Sequence, residues 1–241
     1  MTYLQQLQKS GFNNSQRSTT TAAHNFNDAY KNNNISINPK IIIVGTFTPK
    51  EGRNNGFFYS SNKNKMFEYI NNARNTNLKK PKGRNNKTIV QDLSFLQQER
   101  IMFLDVVEYN YDSQNLSAKD DDICFDSLDY KAFKNYLNKD ILFICNSHNA
   151  YKSFLKILDK YNIKNAFKGQ YVYVPQIYRR SPICLQQQWK DALDLTTNKQ
   201  KIYKDSKGVY RIECTFCPEG TSRGCANYKK YVKNVSLQWM P

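Results

Sequence analysis

No run of this 241-residue chain is apolar over the roughly 20 residues that a membrane-spanning helix needs, and no basic amphipathic segment marks a membrane surface. A secretory signal pattern is likewise missing from its first residues. Phosphate-cradling glycine motifs are lacking too: neither GxGxxG nor GxxxxGKS/T follows the first strand-like run, which argues against a dinucleotide or P-loop site. Histidine is limited to His24 and His148, distant in sequence from each other and from the cysteine-rich end. Acid is in deficit, with 20 Asp+Glu against 36 Lys+Arg and a formal net charge of +16. These absences exclude a membrane partner and point to a soluble globular protein of 39% hydrophobic residues whose natural partner is a polyanion, nucleic acid first. Compositional drift toward Lys and Asn is the competing explanation of the charge.

Cysteine usage points to a cytoplasmic setting. Cys124, Cys145 and Cys184 lie in apolar or mixed contexts typical of buried free thiols rather than of a disulfide framework. Cys214, Cys217 and Cys225 form a CxxC followed by a third cysteine, part of the pattern of a zinc or iron–sulfur site. A fourth ligand is missing nearby, so neither metal nor any other cofactor is expected.

Strand-like and helix-like runs alternate through the middle of the chain. Ile41, Ile42, Ile43 and Val44, opened by Pro39 and closed by Gly45, have the length and β-branching of a strand buried on both faces. Similar runs cover residues 101–107, 141–145 and 171–174, and helices are expected over residues 88–100, 130–137 and 185–195, with another beginning near Met66. Strands alternating with helices at this spacing argue for parallel βαβ units, an α/β fold. Three regions follow: an N-terminal arm over residues 1–38, an α/β domain over 39–197, and a small extension over 198–241 with a hairpin turned at Lys207 and Gly208. A monomer is expected.

The loop after the first strand carries the chemistry. In open α/β sheets ligands bind beyond the carboxyl ends of the strands, where this loop presents Phe57, Phe58 and Tyr59 with polar residues behind them. Gly45, Thr46, Phe47 and Pro49, then the run from Phe57 through Ser60, Ser61, Asn62 and Asn64 to Phe67, resemble the first motif of the uracil-DNA glycosylase superfamily, most of all its hypoxanthine-DNA glycosylase-like branch. Phe103, Leu104, Asp105, Val106 and Val107, with Ser117, Asp120 and Asp121 after them, resemble that branch's Asp-Val-Val segment. The resemblance implies a three-layer sandwich around a four-stranded parallel sheet in the order 2-1-3-4. It also implies a monofunctional DNA glycosylase that flips a deaminated or modified base out of DNA and hydrolyses its N-glycosidic bond.

A glycosylase needs an acceptor that positions water at the sugar carbon and groups that hold the departing base. The resemblance places the branch's catalytic asparagine at Asn64; from the sequence alone an Asn after a loop is a helix cap. Asp105 matches the position that reads the base edge; general base and turn cap are its other readings. Phe58 and Tyr59 would stack on the base, with Ser60, Ser61 and Asn62 beside it, and Phe47 is either the pocket floor or core. His148 is a donor to the leaving base or a solvated loop residue. Gln176, Ile177 and Tyr178 occupy the place of the superfamily's second motif and its wedge, with Arg179 and Arg180 on phosphates; Lys80, Lys82 and Arg84 form a basic loop suited to the same task.

The chain departs from the branch at Ser61 and Asn62, where the motif has His-Pro. A wider, more polar pocket follows, suited to a hypermodified, for example glycosylated, cytosine of viral DNA in a defence role. Uracil or hypoxanthine repair is the alternative activity. A non-catalytic nucleic-acid-binding module is the alternative class, since it would keep the aromatics and basic loops and need neither Asn64 nor Asp105.

Overall fold

Four short apolar runs pair side by side in one direction. In the computed structural model, which describes residues 38–47, 64–77, 94–107, 123, 125, 127–163, 166–176, 182–194, 202–204 and 207–212, these are β1 (Ile41–Gly45), β2 (Ile101–Asp105), β3 (Leu142–Cys145) and β4 (Gln170–Tyr173). All neighbours are parallel and the order is β2-β1-β3-β4. Every residue of β1, β2 and β3 is buried, which is why these strands read as continuous apolar runs rather than alternating ones.

Register shows that helices cover both faces. Phe103, Ile43, Ile144 and Val172 form one row across the sheet, and Met102, Ile42, Phe143 and Tyr171 form the adjacent row. Successive residues of a strand point to opposite faces. From the first row Phe103 meets Phe67 of α1 (Met66–Arg74), with ring centroids 6.4 Å apart. From the second, Phe143 meets Phe133 of α2 (Tyr130–Phe133) and Phe154 of α3 (His148–Lys160) at 6.5 and 4.9 Å. Helix α4 (Pro182–Leu193) joins α1 on its face, where Trp189 stacks on Tyr69 with centroids 5.7 Å apart and rings within 2° of parallel. The result is three layers, each large aromatic contributing about 2–3 kcal/mol by leaving water.

Local chemistry sets the helix ends. The Asp129 carboxylate accepts from the Ala132 amide to start α2, and Ser147 Oγ accepts from the Ala150 amide to start α3. Helix α1 ends on Asn75 in the left-handed conformation, φ 52°. The helix expected over residues 130–137 is shorter: beyond Phe133 the chain tightens into turns, Tyr136 N–H reaching back only to the Phe133 carbonyl and Lys139 N–H to that of Tyr136. The last helix begins at Pro182, earlier than expected, since proline's fixed φ suits the first helical position. Within the helix expected over residues 88–100, residues 94–98 are helical.

Two close fits complete the frame. At Gly169, below β4, a Cβ would lie 2.5 Å from the Ile141 carbonyl oxygen, so only glycine lets the chain pass. Strands β5 (Ile202–Lys204) and β6 (Tyr210–Ile212) form the antiparallel hairpin expected in the C-terminal region, with Gly208 in its turn at φ 76°. The hairpin docks on the sheet's edge: Tyr210 N–H donates to the Tyr151 hydroxyl at 3.0 Å, and the Tyr210 ring stands edge-on to Tyr171 at 5.1 Å.

Candidate functional site

Parallel strands end together, so polar residues immediately beyond their carboxyl ends share one rim. Asp105 closes β2 opposite Gly45 of β1 and is 1% exposed. The pairing then runs on, Val106 N–H donating to the Gly45 carbonyl and Val107 N–H to that of Thr46, so the backbone around Asp105 is held on both sides. Thr46 Oγ1 lies 2.9 Å from Ser147 Oγ, tying the end of β1 to the start of α3. Asn146, immediately after β3, is 5% exposed, and its N–H donates to the Val44 carbonyl at 3.0 Å.

Gln176, three residues after β4, is fastened to the same rim from several directions. Its N–H donates to the Asn146 carbonyl at 2.9 Å, and its own carbonyl accepts from the Tyr69 hydroxyl at 2.8 Å. Next to it the Pro175 carbonyl accepts from Trp189 Nε1 at 3.0 Å. The side chain sits with Oε1 3.5 Å from Asn146 Nδ2, a long hydrogen bond, while its Nε2 is buried with no hydrogen-bond partner among the described residues. A buried donor without an acceptor costs about 1–3 kcal/mol.

The opening turn of α1 lies over this rim, because Tyr69 from that turn reaches Gln176. Asn64 stands at its start and its Oδ1 accepts from the Met66 N–H at 2.9 Å. The N-cap position itself is Lys65, which makes no side-chain cap bond, so Asn64 holds the first helical amide from one residue outside the cap. A carboxamide oxygen carries two lone pairs, so this bond leaves Oδ1 able to accept a second.

Below the rim, Arg74 locks α1 to its neighbours. Its Nη1 binds Asp194 Oδ1 at 2.8 Å, its Nη2 donates to the Leu193 carbonyl at 2.7 Å, and its Nε lies 2.7 Å from Glu99 Oε2. The last contact is an ion pair by proximity rather than a hydrogen bond by angle. Burial pushes the Tyr69 hydroxyl up to about 12, with Glu68 adding to the effect, so at neutral pH it stays a donor. Burial also raises the Cys145 thiol, keeping it protonated beneath the rim.

Of the residues expected to act, the structure places Asp105, Asn64 and Gln176 at the carboxyl end of the sheet. His148 is there too, the exposed first residue of α3, with its ring edge-on to Tyr173 at 6.1 Å. Phe47 is 6% exposed and belongs to the main core, the second of its two readings. Phe58, Tyr59, Ser60, Ser61, Asn62, Ile177, Tyr178, Arg179, Arg180, Lys80, Lys82, Arg84, Cys214, Cys217 and Cys225 lie outside the described residues. Among the described residues no group of three or more His, Cys, Asp or Glu is arranged to hold a metal, and no helix is long and apolar enough to cross a membrane. Sequence reasoning assigned no role to Asn146; its one signal is an amide side chain placed immediately after a buried strand.

No family model matches the chain, and no curated protein matches it. Among solved structures it is similar to the solution NMR structure of a protein of Methanosarcina acetivorans described as a candidate uracil DNA glycosylase, at 18% identity and a TM-score of 0.46, covering 68% of this chain and 94% of that one.

Proposed function

We propose that the chain is a DNA glycosylase, releasing a base from DNA by hydrolysis of its N-glycosidic bond. The observation that carries the reading is the rim itself: buried Asp105 at the end of β2, buried Asn146 after β3, and the Gln176 Nε2 after β4, without a partner among the described residues, all lie at the carboxyl end of one sheet, in a protein of net charge +16. A buried donor left without a partner suits a flat, polar ligand that brings an acceptor, and the charge suits the polyanion that carries it.

The base swings out of the stack and enters at this rim. The Asp105 carboxylate accepts from an N–H on the base edge, and Gln176 donates to an acceptor on the base, stabilising charge as the C1′–N bond breaks and its electron pair passes to the base. Asn64, aimed by its bond to Met66, holds water against C1′ with its second lone pair. The new O–C1′ bond leaves an abasic site, and the proton lost by water passes to solvent. Ser61 and Asn62, in place of the His-Pro of the resembling motif, favour a bulky modified cytosine over uracil or hypoxanthine. Defined duplexes carrying uracil, hypoxanthine, or modified cytosines test this: strong, equal release of uracil removes the bulky-base preference.

One observation favours a second reading, a binding module without catalysis: the Asn64 oxygen is already engaged by the Met66 N–H at the start of α1. Retarded migration of DNA with no alkali-labile breaks at any base would establish that reading instead.

A further inference from the structure

We infer that Asn146 sets which kind of base the pocket accepts, by fixing which end of the Gln176 carboxamide faces the ligand; this rests on the reading of the rim as a base pocket. A carboxamide is nearly symmetric in shape, but one end donates and the other accepts. What decides its orientation is the partner on the closed side. Here that partner is Asn146 Nδ2, a donor, which draws Oε1 toward itself and leaves Nε2 as the group without a partner among the described residues.

Both amides are held by backbone bonds that do not involve their side chains. The Asn146 N–H is bound to Val44 and its carbonyl receives the Gln176 N–H. The Gln176 carbonyl is in turn bound by the Tyr69 hydroxyl. A change in the Asn146 head group therefore leaves these backbone bonds in place and acts on the sense of the amide pair. With a donor facing it, the pocket selects a base that presents a carbonyl or ring-nitrogen acceptor at that point. Asn146 is thus a positioning residue, two bonds removed from the base, and Gln176 is the group that reads it.

Asn146→Asp removes the donor and supplies only acceptors, so Gln176 turns its Nε2 toward Asp and offers Oε1 to the pocket. The experiment measures equilibrium binding, by fluorescence anisotropy, of duplexes whose target nucleotide carries a 2′-fluoro sugar that resists cleavage, across bases presenting either an acceptor or an amine donor. The parent protein is expected to favour one acceptor-bearing base, and Asn146→Asp to shift the preference toward donor-bearing bases by roughly tenfold to hundredfold. Gln176→Glu, which presents acceptors alone at the same site, is expected to shift it in the same direction, and it serves as the test if Asn146→Asp does not fold. A parent protein that discriminates, with variants that weaken all duplexes equally, overturns the orientation role while sparing the pocket. A parent protein that binds every base alike overturns the pocket reading and this inference with it.

Discussion

The Tyr69 hydroxyl donates to the carbonyl of Gln176, 2.8 Å away and 107 residues further along the chain. That bond joins the first turn of α1 to the loop after β4, and the stacking of Tyr69 on Trp189, which itself holds the Pro175 carbonyl, makes the joint rigid. Tyr69→Phe keeps the stack and deletes the bond. It is expected to cost about 1 kcal/mol in chemical denaturation. Because it frees the backbone that aims Gln176, base release should fall further than that loss of stability explains. Equal activity in Tyr69→Phe and parent would show that the joint has no part in catalysis.

Alkali should loosen the same joint. The folded protein holds the Tyr69 hydroxyl up to about 12, and burial does the same to Tyr171, with Tyr210 adding to it. Unfolded tyrosine titrates near 10, so between about pH 10 and 12 the unfolded chain carries fewer protons and stability falls as pH rises. The stabilisation is fully present below pH 10. Urea midpoints measured across this range are expected to drop less steeply in Tyr69→Phe than in the parent; parallel slopes would contradict the assignment.

Gly169→Ala tests how tightly β4 is seated. The added Cβ would stand 2.5 Å from the Ile141 carbonyl oxygen and 3.0 Å from the Phe143 ring, and the first contact is backbone that cannot swing aside. A loss of about 2–3 kcal/mol is expected in thermal or urea unfolding. A loss below about 0.5 kcal/mol would mean that the strand can shift at no cost.

Arg74 bridges Glu99, Asp194 and the Leu193 carbonyl, with its own side chain 15% exposed and the two carboxylates about a third exposed. Arg74→Ala strands both acids. A loss of about 2 kcal/mol is expected, less than for a fully buried pair because water reaches both carboxylates. Arg74→Lys should recover only part of it, since one ammonium cannot span the planar fork. Full recovery would reduce the role of Arg74 to charge alone.

The sheet was legible because its strands are buried on both faces: Ile41 to Val44 and the run from Ile101 carry no polar interruption, and a parallel strand leaves that pattern in sequence. The strand order came with the family resemblance and is the order observed. Helix ends were less legible, since the turns after Phe133 depend on short-range bonds that periodicity does not register. At the candidate site, Asp105 and Asn64 were singled out through motif position, and both lie at the carboxyl end of the sheet. Asn146 was not, because an amide after a strand has no periodic signature. Tyr69 and Trp189 fall within expected helices, and their rings are core; what the sequence could not reveal is where their polar atoms go, since Gln176 and Pro175 are brought to them only by the tertiary fold.

Most direct of all is mass spectrometry of the bases released from a panel of defined modified duplexes by the parent protein, Asp105→Ala and Asn64→Ala. The parent is expected to free one kind of base and leave alkali-labile abasic sites, with each variant slower by about a hundredfold or more at unchanged DNA binding. Release of no base from any duplex, or release undiminished in both variants, would contradict it.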